Sequence, residues 1–428
     1  MIITNCAACA TPLAHDAPRC VRCKTRYCNS TCQHDHWRRG HKQICKKIHR
    51  GGNSEQYNAD NKYKEAVAVA VEACADDTKG QKCYICLEAL HPRTGEGLVR
   101  GCACGDRDGV PSPELGVVHV SCLAEQTKIL FAEAEENNLG NKVFDARWMR
   151  WYKCGLCKQD HHGVVRCALG WACWKSYLGL LETDSRYLLA MNLLGNGLIV
   201  AKHFADALVV QEAELAMKRR LGASEGTILT VQSNLACTYQ LFGRKVEALS
   251  LRRVVYSGYM KLFGSEKLET LIAAQNYAGN LVDLGRYAEV KALIRKTLPA
   301  ARRVLGDCND TTLRMRWNYA LALYRNDGAT LVDLREAVET LEETDRTARR
   351  VLGTAHPLAS AIERDLRRSR AALGAREAPS ATLPVAPAGR LDEPGGVWAI
   401  VYVSHREQKN EKVQQEITLR SEWHSRAA

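Results

Sequence analysis

Residues 186–373 carry a pattern of apolar and polar positions that repeats about every 42 residues. Three asparagines recur at this interval and an alanine follows each, two positions later: Asn234, Asn276, Asn318, Ala236, Ala278 and Ala320. An apolar residue followed by glycine recurs at the same interval, as Leu221-Gly222, Phe263-Gly264 and Leu305-Gly306. This spacing predicts units of two helices each, in which glycine in the left-handed conformation ends the second helix.

The units resemble tetratricopeptide repeats, and the run from Leu352 to Pro357 is similar to the repeats of kinesin light chains. The resemblance implies an all-α superhelix over residues 186–373, with an arginine-rich helix at 356–373 as its cap. In that family, asparagines of the first helix of each repeat face a concave groove and hydrogen-bond an extended peptide. The resemblance implies that the peptide-binding residues here are Asn196, Asn234, Asn276 and Asn318. The alternative is that these asparagines bond only between helices. Arg314 and Arg316 would either favour anionic peptides or be solvated.

Fifteen of the 19 cysteines lie before residue 160, most of them in closely spaced pairs. Two thiolates three positions apart can reach one tetrahedral ion, so in a reducing compartment these pairs predict metal sites. The first group has the eight ligands that two closed zinc sites need: Cys6, Cys9, Cys20, Cys23, Cys28, Cys32, His41 and Cys45. His41 and Cys45 are four residues apart and share one face of a helix. A closed site has no open position for a substrate, which predicts a structural role.

The run Cys28 to Trp37, followed by His41 and Cys45, resembles a MYND zinc finger. The resemblance implies interleaved sites, with one ion on Cys6, Cys9, Cys28 and Cys32 and the other on Cys20, Cys23, His41 and Cys45. His34 and His36 are rival ligands, or else solvated polar residues. MYND fingers bind short proline-containing peptides, and the family's groove positions map to Ser30, Gln33 and Trp37. The alternative is that Trp37 only packs the small core.

A second set of seven cysteines and one histidine follows at residues 83–157. Its members are Cys83, Cys86, Cys102, Cys104, His119, Cys122, Cys154 and Cys157. The strings Leu98 to Gly105 and Val118 to Leu123 resemble the RING-CH (RING-variant) finger. That family implies a cross-brace, with Cys83, Cys86, His119 and Cys122 on one zinc ion and Cys102, Cys104, Cys154 and Cys157 on the other.

RING-type ubiquitin ligases hold a charged ubiquitin-conjugating enzyme in a reactive geometry and supply no nucleophile. The family's enzyme-contact positions map to Ile85, Leu156 and Lys158. The spacing departs from the family pattern, with a turn-rich insertion at 106–113 and 31 residues between Cys122 and Cys154. A cross-braced fold without ligase activity is therefore the competing interpretation.

Of the remaining cysteines, Cys167 and Cys173 are interpreted as small buried apolar side chains beside Trp171 and Trp174. An alternative metal site over Cys154, Cys157, His161, His162 and Cys167 stays open. Nothing in the sequence marks a general base beside an unpaired cysteine, so a cysteine-nucleophile enzyme is not expected.

The composition and the net charge further limit the class of protein to which this chain can belong. The 428 residues are 46% apolar and 25% charged, which is globular composition with room for two or three cores. The longest apolar run, Val397 to Val403, is too short to cross a bilayer, and no secretory signal begins the sequence, so an intracellular protein is expected. The formal net charge of +12 falls to about +6 once fourteen thiolates and four Zn²⁺ ions are included, which weakens a nucleic-acid interpretation.

We therefore predict small zinc-stabilised N-terminal modules, of MYND and RING-variant cross-brace type, followed by an all-α tetratricopeptide superhelix. The predicted division is a MYND-type finger at 1–50, a linker helix at 51–80, a RING-CH-like finger at 81–160, a connector at 161–185, the repeats at 186–373 and a flexible tail at 374–428. The predicted function is a scaffold that recognises peptide segments and needs four Zn²⁺. The alternative is a RING-type ubiquitin ligase that recruits a ubiquitin-conjugating enzyme and selects substrates with its repeats.

Overall fold

The computed structural model describes residues 5–11, 13, 16–102, 116–353 and 356–377. Cys104, the insertion at 106–113, the run 397–403 and nearly all of the predicted tail lie outside the described residues. The chain divides into two compact units between Ala223 and Ser224. The predicted fold class is confirmed, because cysteine-rich modules precede an array of paired helices. The division falls inside the predicted array, so its first helix pair belongs to the same unit as the cysteine-rich modules.

The first unit contains nine helices among its described residues. They are α1 (Ser30–His36), α2 (Lys42–Arg50), α3 (Ser54–Ala73), α4 (Ala75–Thr78), α5 (Val120–Glu136), α6 (Asn141–Trp148), α7 (Gly163–Tyr177), α8 (Ser185–Val200) and α9 (Phe204–Arg220). A π-helical turn, Trp37–His41, joins α1 to α2, and a 3-10 turn, Met149–Trp151, follows α6. Two short strands, β1 (Val99–Arg100) and β2 (Val117–Val118), pair antiparallel with Val99 opposite Val118.

Helices α3 and α7, which the sequence predicted as a linker and a connector, pack against each other. Lys175 of α7 pairs with Asp60 of α3 at 2.9 Å and lies over the ring of Tyr63, 4.7 Å from its centroid. Helix α7 also packs along α8, with Gly170 at a close approach where an added Cβ would lie 3.2 Å from the α8 backbone. These helices therefore form the frame against which α5 of the second cysteine-rich module packs.

The carboxylate of Glu96 joins three parts of the first unit. It accepts hydrogen bonds from the backbone N–H of Ser121 at 2.6 Å and from the Ser121 hydroxyl at 2.5 Å. It also accepts one from the hydroxyl of Tyr63 on α3 at 3.3 Å. A carboxylate at this place satisfies an N–H group in the first turn of α5 and complements the helix dipole. Glu96 thereby fixes α5 against the loop before β1 and against α3.

The second unit is all-helical over its described residues. Its helices are α10 (Glu225–Leu241), α11 (Lys245–Phe263), α12 (Leu268–Asp283), α13 (Tyr287–Leu305), α14 (Asp310–Tyr324), α15 (Leu331–Leu352) and α16 (Pro357–Glu377). The even-numbered helices α10, α12 and α14 each pair with the helix that follows, and α16 packs on α15. The two-helix unit predicted from the 42-residue interval is thus confirmed.

The ends of the repeat helices follow from identifiable local chemistry. Gly264, Gly306 and Gly353 have φ between +79° and +87° and end α11, α13 and α15, as the recurring apolar-glycine pairs predict. Helix α15 begins with a capping box, in which Thr330 accepts from the N–H of Asp333 and the Asp333 carboxylate accepts from the N–H of Thr330.

The core of the second unit is built from aliphatic side chains and closely packed alanines of α12 to α16, among them Leu281, Ile294, Leu313, Leu341 and Ile362. A buried carboxylate, Asp365 of α16, accepts hydrogen bonds from Trp317 Nε1, Tyr324 Oη and Arg325 Nη2 at 2.7–2.9 Å. Among the described helices, none has both the length and the apolar character needed to cross a membrane.

Candidate metal centres and interaction surfaces

The first candidate metal centre lies between the N-terminal turn and α1. The sulfur atoms of Cys6, Cys9, Cys28 and Cys32 lie within 4.8 Å of one another. Cys9 Sγ is 3.4 Å from Cys28 Sγ and 3.8 Å from Cys32 Sγ. Asn29 caps α1 by accepting from the N–H of Cys32, which fixes the turn that carries two of the four thiols.

The second centre is more buried and uses the start of α2. Cys20, Cys23, His41 and Cys45 place their ligand atoms within 4.8 Å of one another, and all four residues are buried. His41 Nε2 is 3.3 Å from Cys23 Sγ, and Cys20 Sγ is 3.9 Å from Cys45 Sγ. Both sets match the interleaved arrangement that the MYND resemblance implies.

The electrostatics of these clusters fit a cation. Hydrogen bonding from the Thr11 hydroxyl lowers the pKa of the Cys9 thiol to about 6. Burial, together with the neighbouring Cys23 thiolate, raises the pKa of Cys45 to about 12. Three or four thiols at this spacing cannot all lose their protons without a counter-ion, and a divalent cation supplies it. Burial lowers the pKa of His41, which favours the neutral imidazole that metal coordination needs.

Two aromatic residues surround the second centre without joining it. The hydroxyl of the fully buried Tyr27 lies 3.0 Å from His36 Nδ1, and the His36 ring stacks on His41 at 4.8 Å between centroids. His36 therefore supports His41 from outside the ligand set. His34 is exposed and belongs to neither cluster. Tyr27 was missed in the sequence because tyrosine carries no metal-ligand signal.

The third centre joins the first cysteine-pair loop of the second module to the start of α5. Cys83, Cys86, His119 and Cys122 place their ligand atoms within 4.8 Å of one another. His119 is fully buried, and its Nδ1 lies 3.3 Å from Cys86 Sγ and 3.6 Å from Cys122 Sγ. Its Nε2 is 3.4 Å from the carbonyl oxygen of Ala89, a partner that can hold the ring in one orientation.

At the fourth centre the described residues supply three thiols. Cys102, Cys154 and Cys157 lie within 4.8 Å of one another, while Cys104 lies outside the described residues. His161 is buried nearby but does not join this cluster, and Cys167 is buried within α7. Cys173 is likewise buried, as predicted for an apolar side chain.

The structure leaves the MYND groove residues accessible. Ser30 is exposed, Gln33 is half-buried, and Trp37 is 39% exposed. Tyr27 and Ile48, not Trp37, fill the small core together with the cysteines. The indole of Trp37 contacts His41 edge-on at 5.9 Å.

The residues predicted to contact a conjugating enzyme lie in different settings. Ile85 lines an open cleft of about 400 Å³ beside α5, together with Pro92, Ile129 and Leu130. Leu156 is 49% exposed on the last zinc loop and does not border this cleft. The Lys158 ammonium donates to the carbonyl oxygen of Gly155, so it is turned back on its own loop. The cleft was not visible in the sequence, because α5 forms its second wall only in the fold.

The four repeat asparagines, Asn196, Asn234, Asn276 and Asn318, are only 1–6% exposed. Asn196 Nδ2 donates to Asn192 Oδ1 at 3.1 Å. On α12, Asn276 Nδ2 and both amide atoms of Asn280 have no hydrogen-bond partner among the described residues. The two arginines considered for an anionic groove are already paired, Arg314 with Asp310 and Arg316 with Glu343.

Closed sets of cysteine and histidine donors define the N-terminal part as a zinc-finger type of module. Residues 6–45 match the MYND finger family, which implies zinc in the first two centres. The match covers this segment only. A MYND finger followed by paired-helix repeats is the composition of a protein-interaction module.

Two curated plant proteins share a short stretch with this chain. Ubiquitin carboxyl-terminal hydrolase 17 of Arabidopsis thaliana is 43% identical over 56 residues, which are 13% of this chain and 7% of that protein. Ubiquitin C-terminal hydrolase 15 of Oryza sativa subsp. japonica is 48% identical over 51 residues, 12% of this chain and 5% of that protein. This chain therefore spans less than a tenth of either relative's length.

Among solved structures, a kinesin light chain of Podosopora anserina with nearly identical TPR-like repeats is similar to this chain, with a TM-score of 0.37 and 17% identity. The similarity covers 54% of this chain and 97% of that one. BtubC (BKLC) of P. vanneervenii has a TM-score of 0.36 and 15% identity, covering 52% of this chain and 98% of that one.

Proposed function

We propose that this protein is a zinc-dependent adaptor that recognises peptide segments of partner proteins through its MYND finger and its repeat helices. The four donor clusters would each hold one Zn²⁺, with Cys104 completing the fourth. The metal contributes folding energy and takes no part in catalysis, because four protein donors leave no open coordination position.

The observation that supports peptide binding by the MYND finger is the exposed indole of Trp37. A module this small would be expected to bury its only tryptophan, yet Tyr27 fills the core instead. Tryptophan is enriched at binding hot spots because its rigid apolar ring gives a large contact area at low entropic cost. Ser30 and Gln33, accessible on α1 beside it, offer polar contacts to a peptide backbone.

Binding of an immobilised library of proline-containing peptides to the zinc-loaded full chain tests this proposal. Trp37→Ala should remove binding of the selected peptides while the zinc content stays unchanged. Val21→Ala is the matched control, since Val21 is 86% exposed in the same finger and lies outside the proposed groove. Equal binding by wild type and Trp37→Ala would contradict the assignment.

The proposal for the repeats rests on unsatisfied polar atoms of α12. A buried donor or acceptor without a partner costs about 1–3 kcal/mol, and a peptide backbone can supply the missing bonds. Asn276 and Asn280 present such atoms, and Asn234 and Asn318 occupy the equivalent repeat position of Asn276. We call the set formed by Asn234, Asn276, Asn280 and Asn318 the repeat groove. Asn196 is the corresponding asparagine in the first unit.

Replacing Asn234, Asn276 and Asn318 together with alanine tests the repeat groove. If they bind peptide, the variant loses binding of a peptide selected on the full chain, and its melting temperature stays close to that of wild type. A fall of several degrees in melting temperature with binding retained would instead identify bonds between helices as their role.

The second candidate function is a RING-type ubiquitin ligase, favoured by the cleft beside the third centre. Its apolar wall combines a zinc-loop residue, Ile85, with Ile129 of α5, which is 52% exposed. Exposed apolar side chains around a cleft mark a site for a protein partner. Both curated relatives carry ubiquitin in their names, as hydrolases.

Ubiquitin chain formation by the full chain with a panel of conjugating enzymes tests this second function. Ile85→Ala and Ile129→Ala should each remove activity without loss of zinc. Val143→Ala, which changes a comparably exposed residue outside the cleft, should retain it. Absence of activity with every enzyme of the panel would exclude the ligase function, and the adaptor function would be the one that remains.

A further inference from the structure

Helix α13 borders an open cleft of about 630 Å³ in the second unit, and none of the repeat-groove asparagines lines it. Its floor is apolar, formed by the fully buried Ile294, the half-buried Leu298, the exposed ring of Pro299 and the ring of Tyr319 from α14. Three guanidinium groups line it, those of Arg295, Arg302 and Arg303, and Arg303 is already paired with Glu266. The cleft thus combines an apolar surface with three cations, of which Arg295 and Arg302 flank Leu298 and Pro299 along α13.

Arg295 is held in place at the rim by its neighbours. Its Nε donates to the Tyr319 hydroxyl at 3.1 Å, and the guanidinium carbon lies 5.7 Å from the centre of that ring. The Tyr319 hydroxyl in turn donates to Glu336 Oε1 at 2.8 Å. Among the described residues, no carboxylate forms an ion pair with Arg295. Its terminal N–H groups are therefore oriented and available to an anion.

Arg302 has a partner that an incoming anion can replace. Its Nε lies 2.7 Å from Asp307 Oδ1, and both side chains are about half exposed. Exposed pairs of this kind contribute little because water screens them. A carboxylate delivered on a folded partner can compete for the guanidinium, which retains further donors.

The order of residues along α13 suggests the shape of the occupant. Arg295, Leu298, Pro299 and Arg302 occupy positions i, i+3, i+4 and i+7 of one helix face and span about 10 Å. A second helix lying in the cleft presents side chains at the same spacing. We propose that this cleft binds an amphipathic helix of a partner protein, with acidic residues at i and i+7 and apolar residues at i+3 and i+4.

The apolar floor between the two arginines decides between partner classes. A nucleic-acid backbone places phosphates on the cations but has no apolar group to cover Leu298 and Pro299. A helix with leucines between its acids covers both features at once. This inference goes beyond the proposed adaptor function, because it concerns a different set of residues and a partner of defined chemistry.

Fluorescence anisotropy with a labelled 18-residue helical peptide tests the proposal on the full chain. The probe carries Glu at i and i+7 and Leu at i+3 and i+4 on an alanine-glutamine background. A control peptide moves both Glu residues by one position, which rotates them by about 100° away from the leucines. We expect the probe to bind more tightly than this control.

Protein variants then locate the site. Arg295→Gln combined with Arg302→Gln should weaken probe binding about tenfold, as expected for the loss of two exposed ion pairs. Lys296→Gln, which removes a charge at the next, exposed position, should bind like wild type. Tyr319→Phe should weaken binding about twofold to threefold, because Arg295 loses the hydrogen bond that orients it. Circular dichroism checks that each variant stays folded.

Three results would overturn the inference. Equal affinity for the probe and the shifted peptide would show that the positions of the acidic residues on the helix face do not matter. Equal losses of affinity from Lys296→Gln and the double variant would show that binding depends only on the overall positive charge. If Asn276→Ala weakened the probe as strongly as the double variant, the probe would occupy the repeat groove instead. Unchanged probe binding in the Asn276→Ala variant supports the cleft.

Discussion

The hydroxyl of Tyr27 and Nδ1 of His36 lie 3.0 Å apart, and this contact holds the His36 ring in its stack on His41, a residue of the second metal centre. The arrangement gives the second centre a support outside its ligand set. Such outer partners orient metal ligands and stabilise the site without touching the ion. Tyr27 therefore has two roles, since the same ring fills the core of the finger.

Tyr27→Phe separates these two roles. The phenyl ring keeps the core filled, so the loss is that of one hydrogen bond, about 0.5–1.5 kcal/mol in the stability of the finger. Zinc content should stay the same, and zinc should transfer faster to a chromophoric chelator. His34→Ala is the control, since His34 is exposed. A chelator rate equal to that of wild type would show that the hydroxyl does not support His41.

Metal analysis of the folded, reduced protein should return four zinc ions per chain. Cys23→Ala should release the ion of the second centre, because only three donors remain there, and should destabilise residues 6–45. The helices of the second unit should melt as in wild type, since they have their own core. Two ions or fewer on the wild-type chain would show that one of the modules is not a double zinc site.

Glu96→Gln should destabilise the first unit by about 1.5–3 kcal/mol, the range for hydrogen bonds to a charged group. The neutral amide has one acceptor oxygen where the carboxylate uses two, one for the N–H of Ser121 and one for the hydroxyls of Ser121 and Tyr63. Glu88→Gln, at an exposed position of the same module, should be neutral. Urea denaturation followed by tryptophan fluorescence measures both, and equal midpoints would disprove the role of Glu96.

Asp365→Ala should cost the second unit about 3–5 kcal/mol, because removing one partner strands buried donors and a charge. Trp317, Tyr324 and Arg325 would all lose the same acceptor. Glu363→Ala breaks only a partly exposed pair on the same helix and should cost less than about 1 kcal/mol. Thermal melting of the two variants compares their losses of stability. Similar losses in both variants would show that the burial of the Asp365 carboxylate does not increase its contribution.

The metal clusters and the repeat could be predicted because both rest on short-range rules. Cysteine spacing reports which thiols can reach one ion, and the 42-residue interval with its glycines reports where helices end. The structure accordingly brings together Cys20, Cys23, His41 and Cys45 at the second centre.

What could not be predicted depends on contacts between distant segments. Glu96, Ser121 and Tyr63 are far apart in sequence, and no motif spacing links them. The burial of Asn276 and Asn318 likewise depends on how α12 packs against α14, and periodicity alone does not give that distance. The cleft along α13 is invisible for the same reason, because Tyr319 comes from another helix.

The packing of α3 against α7 has a consequence for where this chain can accept an inserted segment. Asp60 near the start of α3 meets Lys175 near the end of α7, so the two helices run antiparallel. At the opposite end, the Cys74 thiol donates to the Arg100 carbonyl and the His162 N–H to the Gly101 carbonyl. The chain thus leaves and re-enters a helical hairpin at neighbouring points, with the second cysteine-rich module between them. A chain tolerates an insertion best at such a place, since the two ends of the inserted segment are already side by side.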